Sequence, residues 1–131
     1  MLVEEIMTPV ERLIMIPQMS SVRDALQKMK IGRVRSLVVE KNGANGAYGL
    51  VTFKNILQSI VAEDGDIDLL NVYDIAALPS LSVSAKLDVK YAARMMVQRS
   101  IKRLLVIDYN ELHGMLTMTD IITVLKDEVE N

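Results

Sequence analysis

The sequence predicts an α/β (α+β) fold written twice, each copy a small β-sheet packed with helices. Three observations carry that prediction. The stretch Gly49-Leu50-Val51-Thr52-Phe53-Lys54-Asn55 returns 65 positions later as Gly114-Met115-Leu116-Thr117-Met118-Thr119-Asp120. The stripe Val22, Ala25, Leu26, Met29 has the i, i+3, i+4, i+7 spacing of one helix face. It returns 67 positions later as Val89, Ala92, Ala93, Met96. Each stripe leads into a β-branched run, Ser36-Leu37-Val38-Val39 or Leu104-Leu105-Val106-Ile107, of the kind that forms a buried strand. Helix, strand, strand, helix, met twice, is an internal repeat, and it governs how the remaining elements are read.

In order, Val3 to Met7 reads as a short helix ended by Thr8-Pro9, because the residue before proline avoids helical dihedrals. Leu13 to Ile16 is a short apolar strand closed by Pro17. Ser21-Val22-Arg23-Asp24 has the form of a capping box and starts a helix that runs to about Lys30, with Gly32 ending it. The strand Ser36 to Glu40 turns through Asn42-Gly43-Ala44-Asn45-Gly46, residues tolerant of positive φ, into the strand Ala47 to Thr52. The next helix runs out at Glu63-Asp64-Gly65-Asp66, which opens a short linker that is helical again at Leu69 to Ile75. That shortness predicts halves that pack together, repeat 1 over residues 1–64 and repeat 2 over 65–131. Leu78 to Val83 is the second short strand, and Ser84 is placed to cap a helix Ala85 to Gln98. Leu104 to Asp108, a turn at Asn110-Glu111 and Leu112 to Leu116 form a hairpin, followed by a helix from Met118 to about Glu128.

Composition narrows the function classes. The chain has 131 residues, enough to bury a real core. Half the residues are apolar and 24% are charged, the profile of a globular protein. The longest run without Asp, Glu, Lys or Arg is Asn42 to Phe53, too short to span a bilayer. No basic segment followed by an apolar one marks a secretory signal, and the absence of cysteine removes disulfides and thiolate metal sites. A cytoplasmic protein is the expectation. A net charge of −2 gives no general attraction to nucleic acid or anionic lipid, and one Phe with no Trp leaves little to stack bases on. The nine methionines fall mostly on stripe or strand positions, such as Met15, Met29, Met96 and Met115, and read as core filling.

The two repeated turns carry the chemistry. A strand that feeds directly into a helix leaves backbone N–H groups without intrahelical partners and puts the positive end of the helix dipole there, which favours an anion. Thr117 adds a hydroxyl at that mouth. Asp120 adds a carboxylate, which suits the vicinal hydroxyls of a ribose. Thr117-x-x-Asp120 is equally the pattern of a capping box, a common way to start any helix.

The order of elements, the paired G-x-x-T-x-x-D/N turns and Ile6-Met7-Thr8-Pro9 closely resemble a tandem pair of cystathionine β-synthase (CBS) domains, a Bateman module, over essentially the whole chain. The resemblance implies two repeats related by pseudo-twofold symmetry, with two ligand clefts. It implies a regulatory module that binds an adenine nucleotide (AMP, ADP or ATP) without turnover. Ribose falls to Asp120 and phosphate to Thr117, with Thr119 close by. Thr8, Pro9 and Ile14 would frame the adenine, and Lys102 and Arg103 would reach phosphates. In the first repeat, Arg35, Thr52, Asn55 and Ala77 make a weaker second cleft, because Asn55 replaces the carboxylate and Ser36 replaces Arg103. The resemblance also implies a homodimer through the C-terminal helices of the repeats, where Ile56, Leu57, Ile60, Val61 and Ile121, Ile122, Val124, Leu125 are more apolar residues than one small core covers. With no further domain in these 131 residues, the regulated partner is expected to be a separate effector protein or another copy. The competing reading is an interaction or dimerisation module whose clefts are dead.

An enzyme is not expected. There is no cysteine, and the lone histidine, His113, sits beside a hairpin turn. Glu4-Glu5 is favourable charge at a helix start. Asp64-x-Asp66-x-Asp68 resembles part of an EF-hand loop but lacks its distal Glu, so no metal or catalytic cofactor is expected.

Overall fold

A computed structural model of the chain describes residues 1–129. In chain order its elements are β1 (Thr8–Pro9), β2 (Met15–Ile16), α1 (Val22–Gly32), β3 (Ser36–Val39), β4 (Gly49–Thr52), α2 (Phe53–Ile56), α3 (Val72–Ile75), β5 (Ser82–Val83), α4 (Val89–Arg99), β6 (Arg103–Asp108), β7 (Glu111–Thr117) and α5 (Met118–Asp127). Single 3₁₀ turns occur at Val3–Glu5 and Val10–Arg12, and α2 continues into a π-wound segment, Leu57–Ala62. The chain forms two compact units. One runs from Ile14 to Ser80, and the other joins residues 1–13 to the chain from Leu81 onward.

Both units use the same local logic. Parallel strands need a long crossover, and each unit supplies it with one helix: α1 between β2 and β3, α4 between β5 and β6. The next strand then returns as an antiparallel hairpin, β3–β4 or β6–β7. The sheet orders are β2-β3-β4 and β1-β7-β6-β5. The fourth position differs only in degree. β1 pairs antiparallel with β7, whereas in the other unit Ala77 makes a single bridge to Leu50.

Alternation along the strands builds the cores. In the Ile14–Ser80 unit, Leu37, Val39 and Val51 of the sheet meet Val22, Ala25 and Met29 of α1. In the other, Leu104, Val106 and Leu116 meet Ala92 and Met96 of α4, and Val3 closes the edge. All of these are buried, and burying a side chain the size of Val or Leu contributes roughly 1.5–3 kcal/mol. The methionines read as core filling divide accordingly. Met29 and Met96 are buried, while Met15 and Met115 are half-buried.

The α/β (α+β) class and the doubled order of elements agree with expectation, while several boundaries differ. Helix α1 runs two residues past Lys30 and ends, as expected, at Gly32. A Cβ there would collide with Ile14, and Arg33 takes the left-handed conformation at φ 54°. Ser100 does the same after α4 at φ 53°. Helix α4 starts at Val89, not Ala85, capped by Asp88, whose side chain accepts from Lys90 N–H. Ser84 instead closes a separate turn by accepting from Lys86 N–H at 3.2 Å. Leu13 closes the 3₁₀ turn at Val10–Arg12, so β2 holds only Met15 and Ile16. The segment before β5 is irregular up to Leu81, since Pro79 has no N–H for a ladder. The second hairpin turns on Tyr109 and Asn110, both at positive φ, a two-residue turn that matches strand twist, and Glu111 already belongs to β7. Only Val72–Ile75 of the linker is α-helical.

Candidate functional site

The turn at 117–120 ends β7, which has a neighbouring strand on each side. β6 lies on one side, with Arg103 opposite Thr117, and Met118 N–H donates to the Lys102 carbonyl at 2.9 Å. On the other side runs β1, with Thr8 opposite Met115 and Pro9 opposite Gly114. Gly114 is required there. A Cβ on it would strike the Thr8 carbonyl oxygen and approach Met7 Sδ to 2.9 Å. The sequence signal was present, since both turns begin on glycine, but the reason is tertiary. The first turn repeats it, because a Cβ on Gly49 would lie 2.9 Å from the Ala77 carbonyl oxygen.

At the mouth of α5 the capping box is fully formed. Thr117 N–H donates to Asp120 Oδ2 at 2.8 Å, and Asp120 N–H donates to Thr117 Oγ1 at 3.1 Å. Both residues are half-buried, while Thr119 is exposed and its carbonyl accepts from the Thr123 hydroxyl. The structural reading of the motif is therefore satisfied. It leaves the second carboxylate oxygen, Oδ1, and the Thr117 hydroxyl proton uncommitted among the described residues.

The chain thus gathers Thr8, Pro9, Lys102, Arg103, Thr117, Thr119 and Asp120 into one compact unit, around the C-terminal end of β7. Ile14 belongs to the other unit, where it packs on the core and against Gly32. That unit also gathers the residues expected for the second cleft. Phe53 N–H donates to the Arg35 carbonyl at 3.1 Å, Ala77 exchanges two 2.9 Å backbone bonds with Leu50, and Thr52 and Asn55 form the turn. Ser36 stands opposite Thr52 where Arg103 stands opposite Thr117, so the substitution of serine for arginine is positional fact.

Other polar clusters have local partners. Asp108 accepts from Ser84 and from Ala85 N–H (3.0 Å), and these bonds, with His113 and Lys86 nearby, hold its carboxyl below the usual range. His113 itself is exposed beside the hairpin. Asp68 takes both arms of Arg23, and the hydrogen bond between them lowers the one pKa and raises the other. Lys86 pairs with Glu4 at 2.7 Å. Among the described residues no group of three His, Cys, Asp or Glu could hold a metal ion, and no helix is long and apolar enough to cross a membrane.

Comparison with known proteins bears on this arrangement. The CBS domain model matches the chain twice, over residues 3–62 and 72–127. An uncharacterized protein of Methanopyrus kandleri is 30% identical over 98 residues, 74% of this chain and 50% of that one, so the chain spans about half the length of that relative. The hexameric CBS-CP12 protein from bloom-forming cyanobacteria superposes with a TM-score of 0.86 at 31% identity, covering 99% of this chain and 76% of the other. CBSX2, solved in complex with AMP, has the same fold, with a TM-score of 0.79, 24% identity and 96% of each chain covered.

Proposed function

The chain belongs to the CBS domain family, and we propose that it is a regulatory module that binds an adenine nucleotide of the AMP, ADP or ATP type at the 117–120 turn, without chemical turnover. One observation carries the reading. After the cap is made, the half-buried Thr117 and Asp120 still offer a carboxylate oxygen and a hydroxyl proton at the positive end of a ten-residue helix. A carboxylate oxygen accepts from ribose hydroxyls, and a hydroxyl donates to phosphate. In this reading Asp120 holds the ribose, Thr117 and Thr119 meet the phosphate with Lys102 and Arg103, and Thr8 and Pro9 border the base. The AMP complex of CBSX2, a protein of the same fold, supports the ligand class.

A thermal melt with and without millimolar AMP tests it. A ligand that binds only the folded state stabilises by about 2.7 kcal/mol at a hundred times its dissociation constant, and an unmoved midpoint refutes the proposal. The interaction-module reading has its own observation. Leu57 is 58% exposed and Val61 66% on the helix after the first turn, and Ile122 is 43% and Leu125 56% exposed on α5. Ile56, Ile60 and Ile121 instead face their cores. We assign the exposed set to a homodimer contact. Sedimentation at tens of micromolar should give a dimer, and a monomer removes that assignment.

A further inference from the structure

The turn between β3 and β4 carries the Asn-Gly pair twice, as Asn42-Gly43 and Asn45-Gly46, and the fold treats the two copies differently. In such a pair the glycine backbone nitrogen can bond to the carbonyl carbon of the asparagine side chain, because glycine has no Cβ to crowd the approach. The reaction then depends on whether that nitrogen is available. Gly46 N–H is committed, since it donates to the Gly43 carbonyl at 3.1 Å. A Cβ on Gly46 would also lie 2.6 Å from the Asn42 carbonyl oxygen, so this half of the turn is packed against backbone. Gly43 is the reverse. Its N–H has no acceptor among the described residues, and beyond its chain neighbours no atom lies within 4 Å of where its Cβ would be. Asn42 and Gly43 are both exposed.

We propose that Asn42 is a site of spontaneous deamidation, a covalent modification of the first repeat that needs only water. The step balances without an oxidant or a reductant. Gly43 N gives up its proton to solvent and bonds to Asn42 Cγ. The bond from Cγ to the side-chain nitrogen breaks, and that nitrogen takes up a proton and leaves as ammonia. Water then opens the cyclic imide at either of its carbonyls. One opening gives aspartate, and the other gives isoaspartate, whose main chain runs through Cγ and is longer by one carbon. Both products put a carboxylate where an amide stood, next to Lys41 in the chain. Isoaspartate also lengthens a turn in which Gly46 is folded back on the Asn42 backbone.

Peptide mapping by mass spectrometry tests the proposal on the intact chain held at mildly alkaline pH, with the urea-unfolded chain as reference. Unfolded, the two pairs are equally accessible and should convert at similar rates. Folded, Asn42 should take on the mass of an acid in place of an amide, divided between aspartate and isoaspartate. Asn45 should lag it by about twofold to tenfold, the rate equivalent of releasing one backbone hydrogen bond. In Asn42→Gln, which would have to close a larger ring, the early product should be missing. An Asn42 that keeps its amide in the folded chain, or an Asn45 that keeps pace with it there, overturns the proposal.

Discussion

Truncation of Asp120 to alanine separates its capping role from the ribose role proposed for it, because the cap uses only one of its two carboxylate oxygens. Oδ2 caps α5 by accepting from Thr117 N–H. Its loss leaves that donor without its partner at a half-buried helix start, while Thr117 Oγ1 still caps Asp120 N–H, a backbone group that alanine keeps. Loss of such a cap costs about 1 kcal/mol. For a chain of this length the melting midpoint should fall by about 3–5 °C. Oδ1 faces the proposed ribose. A hydrogen bond to a charged group contributes roughly 1.5–3 kcal/mol, so AMP should bind about tenfold to over a hundredfold more weakly. Calorimetric titration and a melt on the same preparation read both quantities. If Asp120→Ala melts lower but binds AMP like the parent, the carboxylate is a cap only and the functional assignment is wrong.

Gly114→Ala should destabilise the protein by about 1–3 kcal/mol, because the new methyl meets the Thr8 carbonyl and β1 must lift from β7; a parent-like denaturation midpoint contradicts this. Asp108 makes stability fall toward acid: its folded pKa is lowered by bonds from Ser84 and Ala85, so its contribution is full above the ordinary carboxylate range and is lost as pH falls through the folded value. Urea midpoints from pH 7 to 3 should therefore drop less steeply in Asp108→Asn than in the parent. AMP should bind more tightly than adenosine at low salt and lose part of that advantage at high salt, since the helix N-terminus and exposed Lys102 favour negative charge and salt screens it. Equal binding of the two at low salt would remove the phosphate roles given to Thr117, Lys102 and Arg103.

Most of the fold was legible because its determinants are local or periodic. The stripes at Val22 and Val89 set where α1 and α4 start, and the offset of 67 that relates them held even where a capping residue pointed elsewhere. Ser84 resembles a cap, but the stripe places the first buried position of α4 at Val89, and packing decided the start. The missed features depend on contacts between distant parts of the chain. Nothing around Gly32 announces that Ile14 fills the space of its missing Cβ, so the sequence shows where α1 ends but not the close approach made there. Residues 1–13 join the unit of the second repeat, and only long-range pairing such as Thr8 with Met115 reveals it. The site followed the same rule. The Thr-x-x-Asp spacing was visible, but which atoms the cap consumes was not.

That division of atoms removes the conflict between a structural and a functional reading of the turn. A capping box fixes the Asp120 rotamer through one oxygen and so holds the other in place before any ligand arrives, which lowers the ordering entropy that binding would otherwise cost. The first repeat serves as an internal control for what the fold alone demands. Gly49 and Gly114 are both glycine, and Thr52 and Thr117 both threonine, because each copy needs the close approach and the cap. Asn55 and Asp120 differ at the same position of the two capping boxes, and Ser36 and Arg103 at positions matched by sheet register. Either side chain therefore meets the folding requirement there, and the choice between them acts on something else. At the turn, that choice decides whether the group the cap leaves over is a carboxylate oxygen or an amide NH₂. Under the proposed function, the difference between the two copies is a difference in what each would hold.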